Sequence, residues 1–300
     1  MAVLTAVWTQ ATARVLRQRD GGAGHQWLEL LIGRGFAVPE PGQFVQLLLG
    51  PAASGALLPR PMSVASCRRT PRGLVLGFLY VPIGLGTRAL AALGSGDEVE
   101  VLGPLGHGFP LAAPGTPVLV AGGRGVAPLL FAAETLARAG RRCEFVFGAR
   151  GKALLVGLAE ARRLLRVLGG RLHLATDDGS AGFRGHAVAL VERVSARLEA
   201  PLVLHACGPH GMLKALVGWS LARGIPAHVA MESVMACGTG VCRGCPLPRR
   251  AHAGNGNGGP GHPEDPAPMP SLFGNRDWAL CCTEGPVFEA GALDWERIEA

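Results

Sequence analysis

The stretch PVLVAGGRGVAPLLFAAETLARAG, residues Pro117–Gly140, decides the fold that the sequence predicts. Its apolar run Val118–Ala121 predicts a buried strand, the run Gly122-Gly123-Arg124-Gly125 a tight turn, and Leu129–Ala139 an amphipathic helix. A strand, a glycine-rich turn and a helix in this order can bind nucleotide phosphates at the helix N-terminus. An ordinary β–α turn has the same composition, so this motif needs support from the rest of the chain.

The same alternation of strands and helices continues after this stretch. Strands are predicted at Cys143–Phe147, Leu172–Thr176 and Leu202–Ala206, with helices at Ala153–Leu168, His186–Arg197 and Gly211–Arg223. This alternation predicts an α/β domain with a doubly wound parallel sheet, whose strand ends share one ligand-binding edge. A second turn follows the last strand. The candidates for nucleotide binding are therefore Gly122, Gly123, Gly125, Cys207, Gly208 and Pro209.

The N-terminal part of the chain has a different texture. Short β-type runs occur at Gln26–Ile32, Gln43–Leu49, Gly73–Tyr80 and Glu98–Leu102, and turn residues separate them. Strands of this length and spacing predict an antiparallel β-barrel. The expected division is a barrel over residues 1–113, the α/β domain over 114–226 and a cysteine-rich domain over 227–300.

Two short motifs in the barrel region suit a phosphate-bearing cofactor. In Arg60-Pro61-Met62-Ser63, the guanidinium can pair with a diphosphate and the hydroxyl can bind a flavin or phosphate. Gly84-Leu85-Gly86-Thr87 precedes a helical segment that can hold a phosphate at its N-terminus. An ordinary edge strand and an ordinary helix start remain the alternatives.

Five of the eight cysteines lie close together near the C-terminus. Cys237-x4-Cys242-x2-Cys245, followed later by Cys281-Cys282, has the spacing of plant-type [2Fe–2S] ligands. Spacing alone does not separate Cys281 from Cys282 as the fourth ligand. A zinc site is the alternative, with His228, His252 and His262 as further donors, although zinc knuckles more often use paired C-x2-C units.

Composition narrows the classes of protein. The 300 residues are 48% hydrophobic and 17% charged, which is enough for two or three folded domains. The net charge of +7 is scattered and aromatics make up only 5%, so no nucleic-acid partner is expected. No apolar run approaches the length of a membrane span, and the first residues lack the basic region of a signal peptide. We therefore expect a cytoplasmic protein with no membrane partner. A run rich in Gly, Pro and Asn predicts a flexible insertion at about 249–275.

The order of the motifs resembles one known family. RPMS, GLGT, GPLGHGF, GGRGVAP, TDDGSAGFRG, CGP, MACGTGVCRGC and CTEGPVF follow one another along nearly the whole chain. This order resembles the electron-transfer subunits of bacterial class B dihydroorotate dehydrogenases, within the ferredoxin-reductase superfamily. The resemblance implies FAD on the barrel, NAD on the α/β domain and a C-terminal [2Fe–2S] cluster. With NAD on that domain, Cys207 is expected near the nicotinamide, and no residue is assigned to catalysis. It also implies an FMN-bearing catalytic partner in a heterotetramer of two plus two, acting in pyrimidine biosynthesis.

The resemblance also implies roles for particular residues. It assigns FAD contacts to Arg60, Pro61, Met62, Ser63, Leu79, Tyr80, Val81, Gly86 and Thr87. It assigns the cluster to Cys237, Cys242, Cys245 and Cys282, because the last family cysteine stands two residues before the sequence GPVF, which leaves Cys281 as a spare. The chain departs from the family at Val81, where a basic residue is common, and in the length of the segment that follows Cys245.

Three other functions fit parts of the sequence. One is a diaphorase-type subunit of a ferredoxin:NADP oxidoreductase, a hydrogenase or a sulfite reductase. The others are a zinc-bearing binding module without redox activity and a stand-alone reductase for a soluble acceptor. The sequence does not fix NAD against NADP. Arg150, after the second strand of the α/β domain, can meet an adenosine phosphate, but a solvated arginine is the more common case at such a position.

Overall fold

The structure is a computed structural model that describes residues 8–49, 55, 57–198, 201–250 and 277–298. The flexible insertion predicted at about 249–275 lies outside the described residues, except for Arg249 and Arg250. Those two belong to ordered structure, since the amide of Arg250 donates to the carbonyl of Ala292.

The N-terminal unit is a seven-stranded antiparallel sheet in the order β4-β3-β7-β1-β2-β6-β5. Its strands are β1 (Thr9–Gly22), β2 (His25–Ile32), β3 (Phe44–Leu48), β4 (Arg60–Ser63), β5 (Ser66–Thr70), β6 (Gly73–Tyr80) and β7 (Glu98–Leu105). Helix α1 (Leu85–Ala91) links the last two strands. The predicted antiparallel architecture is confirmed.

The sheet curves until its two edges come together. Edge strands β4 and β5 are joined by only Val64 and Ala65, whose amides bond to Gln43 on one side and Gly77 on the other. Register shifts in the long strand β1 increase the local bend, as β-bulges do. The inner face is filled by apolar side chains, including Leu28, Leu47 and Phe78. These contacts make the sheet a barrel.

The second unit is a seven-stranded sheet in the order β11-β10-β9-β8-β12-β13-β16. Its strands are β8 (Thr116–Gly122), β9 (Glu144–Ala149), β10 (Arg171–Thr176), β11 (Phe183–Arg184), β12 (Leu202–Cys207), β13 (Ala227–Ala230) and β16 (Val287–Glu289). Its helices are α2 (Val126–Arg138), α3 (Leu158–Leu168), α4 (Ala187–Ser195) and α5 (His210–Leu221). All pairings are parallel except that of β16 with β13, which confirms the predicted sheet.

The sheet differs from the expected domain division at its C-terminal side. The division placed everything from residue 227 onward in a separate cysteine-rich domain. Instead, β13 pairs with β12 and β16 pairs with β13, so both strands extend the sheet of the second unit. Apolar side chains on these strands gain more by completing that sheet's core than by exposure in a small domain. The remaining C-terminal segment holds the short hairpin β14 (Pro246–Pro248) and β15 (Trp278–Leu280).

The barrel and the α/β unit touch each other through the first hairpin. Arg19 of β1 pairs with Glu160 of α3 at 2.6 Å, and its guanidinium also covers the ring of Trp27. Trp27 packs in the same core cluster as Leu119 and Phe147 of the parallel sheet. These contacts pack the first hairpin against the α/β unit. Within the described residues, none of the helices is both long and apolar enough to span a membrane.

Candidate functional site

The two glycine turns of the α/β unit meet at the carboxyl edge of the parallel sheet. A Cβ on Gly125 would lie 2.2 Å from the carbonyl oxygen of Cys207, and a Cβ on Gly122 would lie 2.6 Å from the ring of Pro209. Neither distance is sterically possible, so both positions require glycine. The two turns that the sequence singled out therefore form one continuous surface, where the N-termini of α2 and α5 converge.

A cavity of about 660 Å³ lies along this edge. Of the predicted nucleotide residues, Gly122, Gly123 and Pro209 line it directly. Arg124 and Arg150 bring positive charge to its wall, and the N-termini of α4 and α5 face it. Backbone N–H groups at helix N-termini and guanidinium groups are the donors that bind phosphates. The cavity therefore suits an elongated anionic nucleotide.

The other predicted nucleotide residues lie behind the cavity wall. Gly125 and Gly208 pack against the neighbouring turn and allow its close approach. Cys207 is buried in the apolar core beside Val126, and burial raises the pKa of its thiol above the usual range. Its backbone faces the glycine turn, whereas its sulfur belongs to the core, so the thiol has the features of a packing group.

Three polar residues of the cavity were not predicted from the sequence. His25 reaches it from the hairpin of the barrel, and Asp177 and His186 face it from the end of β10 and the start of α4. The ring Nδ1 of His186 lies 3.1 Å from Oδ1 of Asp177. The TDDG motif at the end of the predicted strand was a usable signal for Asp177, but His25 has no local signal because its approach depends on how the two units pack.

The flavin-candidate segments come together on the barrel. Arg60–Ser63 forms strand β4, and the side chain of Arg60 packs against Gly86 in α1, where a Cβ would lie 3.1 Å from the guanidinium Nε. Arg60 Nη2 donates to the carbonyl of Leu58 at 2.7 Å, while its buried Nε has no partner among the described residues. One arginine thus connects the RPMS and GLGT motifs.

The remaining flavin candidates lie next to these two segments. Leu79 and Tyr80 end strand β6, and the Tyr80 hydroxyl donates to Oε1 of Gln18 at 2.7 Å. Burial raises the pKa of Tyr80, so the phenol stays neutral. The hydroxyl oxygen of Thr87 accepts hydrogen bonds from the amides of Ile83 and Gly84, each at 3.0 Å. These bonds fix the backbone at the start of α1. Val81 directly follows Tyr80, and Met62 turns into the barrel core.

The cysteines lie in two pairs. The sulfurs of Cys237 and Cys242 are 3.3 Å apart, and the thiol of Cys245 hydrogen-bonds with that of Cys282, whose amide also donates to Cys245 Sγ at 3.4 Å. Gly238 and Gly240 have positive φ values of 76° and 85°, which let the loop wrap around the first sulfur. Cys281 is in neither pair: it is fully buried, and its sulfur lies 3.6 Å from the carbonyl oxygen of Met231.

Hydrogen bonds favour the thiolate at two of these cysteines. At Cys237, burial acts in the opposite direction, but amides of Cys242 and Thr239 donate to the sulfur and bring its pKa down to about 6. At Cys245, the hydrogen bond from the Cys282 thiol lowers the pKa to about 7. The same bond, together with burial, raises the pKa of Cys282, and burial raises the pKa of Cys281 to about 12. Amide donors to sulfur are typical of loops that hold metal-bound thiolates.

The arrangement of the sulfurs is compatible with the predicted iron–sulfur cluster. Two separate sulfur pairs match the two irons of a [2Fe–2S] cluster, each of which takes two protein ligands. His228, a possible zinc ligand, instead stacks on His205 with ring centroids 5.6 Å apart. His252 and His262 lie outside the described residues.

Comparison with known proteins supports this architecture. The dihydroorotate dehydrogenase B (NAD(+)) electron transfer subunit of Geobacillus thermodenitrificans is 37% identical over 257 residues, which cover 85% of this chain and 86% of the relative. The subunit of the same name from Listeria monocytogenes is 35% identical over 267 residues, which cover 87% and 90%.

Solved structures show the same fold. An NADH-dependent reduced ferredoxin-NADP oxidoreductase structure aligns over 95% of this chain and 90% of that chain, with a TM-score of 0.74 and 24% identity. A cytochrome P450 reductase from Amycolatopsis aligns over 73% and 67%, with a TM-score of 0.60 and 30% identity. No protein-family model matches the sequence. The fold is that of the ferredoxin reductases, and on sequence the chain belongs to the family of dihydroorotate dehydrogenase B electron-transfer subunits.

Proposed function

We propose that this chain takes electrons from a dihydroorotate-oxidising flavoprotein and passes them through a [2Fe–2S] cluster and FAD to NAD⁺. The observation that carries the proposal is the arrangement of three sites on adjoining elements. The cysteine loop packs on β3, β3 pairs with the flavin-candidate strand β4, and the hairpin of the same barrel reaches the nucleotide cavity. Each cofactor candidate therefore has a neighbour to exchange electrons with.

The barrel residues would bind and orient FAD. Arg60 would pair with the diphosphate through its guanidinium, and Gly86, which has no side chain, lets the start of α1 pack directly against this arginine. Pro61 and Ser63 share the outward face of β4, while Met62 anchors the strand in the barrel core. The buried, neutral Tyr80 and its partner Gln18 hold the end of β6 in place.

The α/β unit would bind NAD⁺ along its cavity. The paired glycine turns let the dinucleotide backbone approach the sheet edge, and Arg124 and Arg150 complement its phosphates. Asp177 would accept a hydrogen bond from a ribose hydroxyl, as an acidic residue does in NAD-binding α/β folds. The backbone carbonyl of Cys207 packs against Gly125 in the glycine turn, and its buried thiol stays protonated.

The four cysteines Cys237, Cys242, Cys245 and Cys282 would hold the cluster. Their loop supplies amide donors to the sulfurs, and Val241 and Cys242 are exposed, so electrons can enter from a partner that docks on this side. When bound, the cluster carries single electrons and the flavin converts between one- and two-electron steps. An FMN-bearing catalytic subunit, an assembly of two plus two chains and a cytoplasmic location belong to the same proposal. The location agrees with eight free cysteines.

Cofactor analysis of the purified chain tests this proposal. We expect anaerobic preparations to contain one FAD, two irons and two acid-labile sulfides per chain, with the visible spectrum of both groups. The preparation should oxidise NADH with an artificial acceptor and stay inactive on dihydroorotate until the catalytic partner is added. A colourless protein with bound zinc would overturn the function and leave only the fold.

A charge placed in the cavity should weaken NAD⁺ binding. Ala215 is an exposed residue of α5 that lines the cavity, so Ala215→Glu puts a carboxylate where an anionic dinucleotide binds. At an effective dielectric constant of about 20 and a separation of several ångström, the repulsion is about 1–2 kcal/mol. We therefore expect the KM for NAD(H) to rise about five- to thirtyfold in the NADH–ferricyanide assay.

The matched control carries the same charge on the same helix. Gly218 is exposed, has open space around its Cα and does not line the cavity. Gly218→Glu should leave the KM within twofold of the unmodified chain, and both variants should keep full flavin and iron content. An equal rise in KM for both variants would argue against this cavity as the nucleotide site.

A further inference from the structure

One fully buried amide lies between the barrel and the cysteine loop. Gln46 is on strand β3 and has no exposed surface, although glutamine is seldom buried completely. Its neighbours Val45 and Leu47 point into the barrel core, so the alternation of the strand turns Gln46 to the outer face. The packing on that face includes Phe44, which lies in the core cluster of Cys245 and Cys282.

The strand register places this amide beside the flavin-candidate motif. Gln46 is the direct partner of Pro61 in the antiparallel pair of β3 with β4, and paired residues project from the same face. Pro61 stands between Arg60 and Met62 of the RPMS motif. Gln46 is therefore one strand away from the backbone to which we assign the flavin.

The other side of the amide touches the cysteine loop. Its Nε2 donates to the carbonyl of Ala236 at 3.4 Å, directly before the ligand Cys237. A Cβ on Gly238 would lie 2.7 Å from the same nitrogen, so the loop backbone rests on the amide. The acceptor Oε1 is buried and has no partner among the described residues. The Nε2 end of the Gln46 amide therefore faces the cysteine loop and makes its hydrogen bond there.

We propose that Gln46 is a positioning residue that fixes the cluster loop against the flavin strand and stabilises the reduced form of the cluster. This inference rests on the proposed function. The N–H end of an amide dipole is positive, and the reduced cluster carries one more negative charge than the oxidised one. A donor held beside the first ligand loop therefore favours reduction, in the way that hydrogen bonds near the sulfurs raise the potentials of such clusters.

The test replaces the amide with an apolar side chain of the same length. We expect Gln46→Met to keep FAD, iron and sulfide at unmodified stoichiometry and to lower the reduction potential of the cluster in an EPR-monitored titration. The expected size is a tenfold change in the one-electron equilibrium with the flavin, which corresponds to about 59 mV. The magnetic interaction between reduced cluster and flavin radical should change as well, because the loop loses its anchor on β3.

A matched control makes the same replacement at an exposed position of the barrel. Gln10 lies on β1, opposite Leu102, with its side chain exposed. Gln10→Met should leave the potential and the EPR signals unchanged. Loss of the cluster in Gln46→Met alone would also support anchoring of the loop by Gln46. An unmodified chain without flavin or iron would instead overturn the proposed function itself.

The opposite result is a Gln46→Met variant in which the cofactors, the reduction potential of the cluster and its magnetic interaction with the flavin radical are all unchanged. That result would overturn the role of Gln46 and leave the proposed function standing. A second variant separates anchoring from dipole effects. Gly238→Ala introduces the 2.7 Å contact with Nε2 and a strained positive φ, so it should displace the loop without removing the amide. If Gly238→Ala changes neither the magnetic interaction nor the cluster content, the loop does not rest on Gln46.

Discussion

Replacing Cys282 with serine is expected to abolish the iron–sulfur cluster, while replacing its neighbour Cys281 is expected to preserve it. In Cys282→Ser, iron and acid-labile sulfide should fall to background and the visible absorption should reduce to that of the flavin. The reason is geometric, because Cys282 hydrogen-bonds with Cys245 whereas Cys281 points to the carbonyl of Met231 in the core. A serine hydroxyl is a much weaker iron ligand than a thiolate at neutral pH.

Cys281→Ser is the matched control because it makes the same change one residue away. A serine hydroxyl can keep the hydrogen bond to Met231, so the expected cost is about 1 kcal/mol of the free energy of unfolding. Cluster content should stay at two irons per chain. Equal cluster content in the two variants would contradict the assignment of Cys282 as the ligand. Loss of the cluster in Cys281→Ser alone would assign the ligand to Cys281 instead.

The sequence predicted what depends on local pattern. Strand β6 matches the apolar run Gly73–Tyr80 at both ends, and the glycine turn before α2 lies where Gly122–Gly125 placed it. Strand β1 was not among the predicted runs, because its exposed positions carry Arg14, Arg17 and Arg19 and its hydrophobic content is low. That strand is stabilised by pairing with β2 and β7. Pairing between strands cannot be read from the local pattern of hydrophobic residues.

Three features that escaped prediction depend on contacts between distant parts of the chain. His25 enters the nucleotide cavity only because Arg19 and Trp27 dock the hairpin on α3 and the parallel sheet. Strand β16 joins β13 after the long segment that separates them, and no periodicity announces that pairing. In the sequence, Gln46 is one polar residue inside an apolar run. Its contact with the cysteine loop is seen only in the structure.

Replacing Arg60 with alanine is expected to release FAD from the barrel. The side chain of Arg60 packs against Gly86, so the guanidinium lies where the RPMS and GLGT motifs meet, and its Nε–H has no partner among the described residues. A charge-assisted hydrogen bond contributes about 1.5–3 kcal/mol, so the Kd for FAD should rise about ten- to hundredfold. The measurement is the flavin-to-protein ratio after gel filtration, followed by titration of the apoprotein with FAD.

Two further variants decide whether charge or geometry is responsible. Arg60→Lys keeps the charge but loses the planar fork, so its affinity for FAD should fall between those of Arg60→Ala and the unmodified chain. Arg72, exposed in the turn between β5 and β6, offers a loss of the same charge away from the motif. Arg72→Ala should bind FAD normally. If Arg60→Ala retains full flavin after gel filtration, the diphosphate does not lie at the junction of the RPMS and GLGT motifs. The flavin would then have to be held by other candidate segments, such as the end of β6, where Tyr80 donates a hydrogen bond to Gln18.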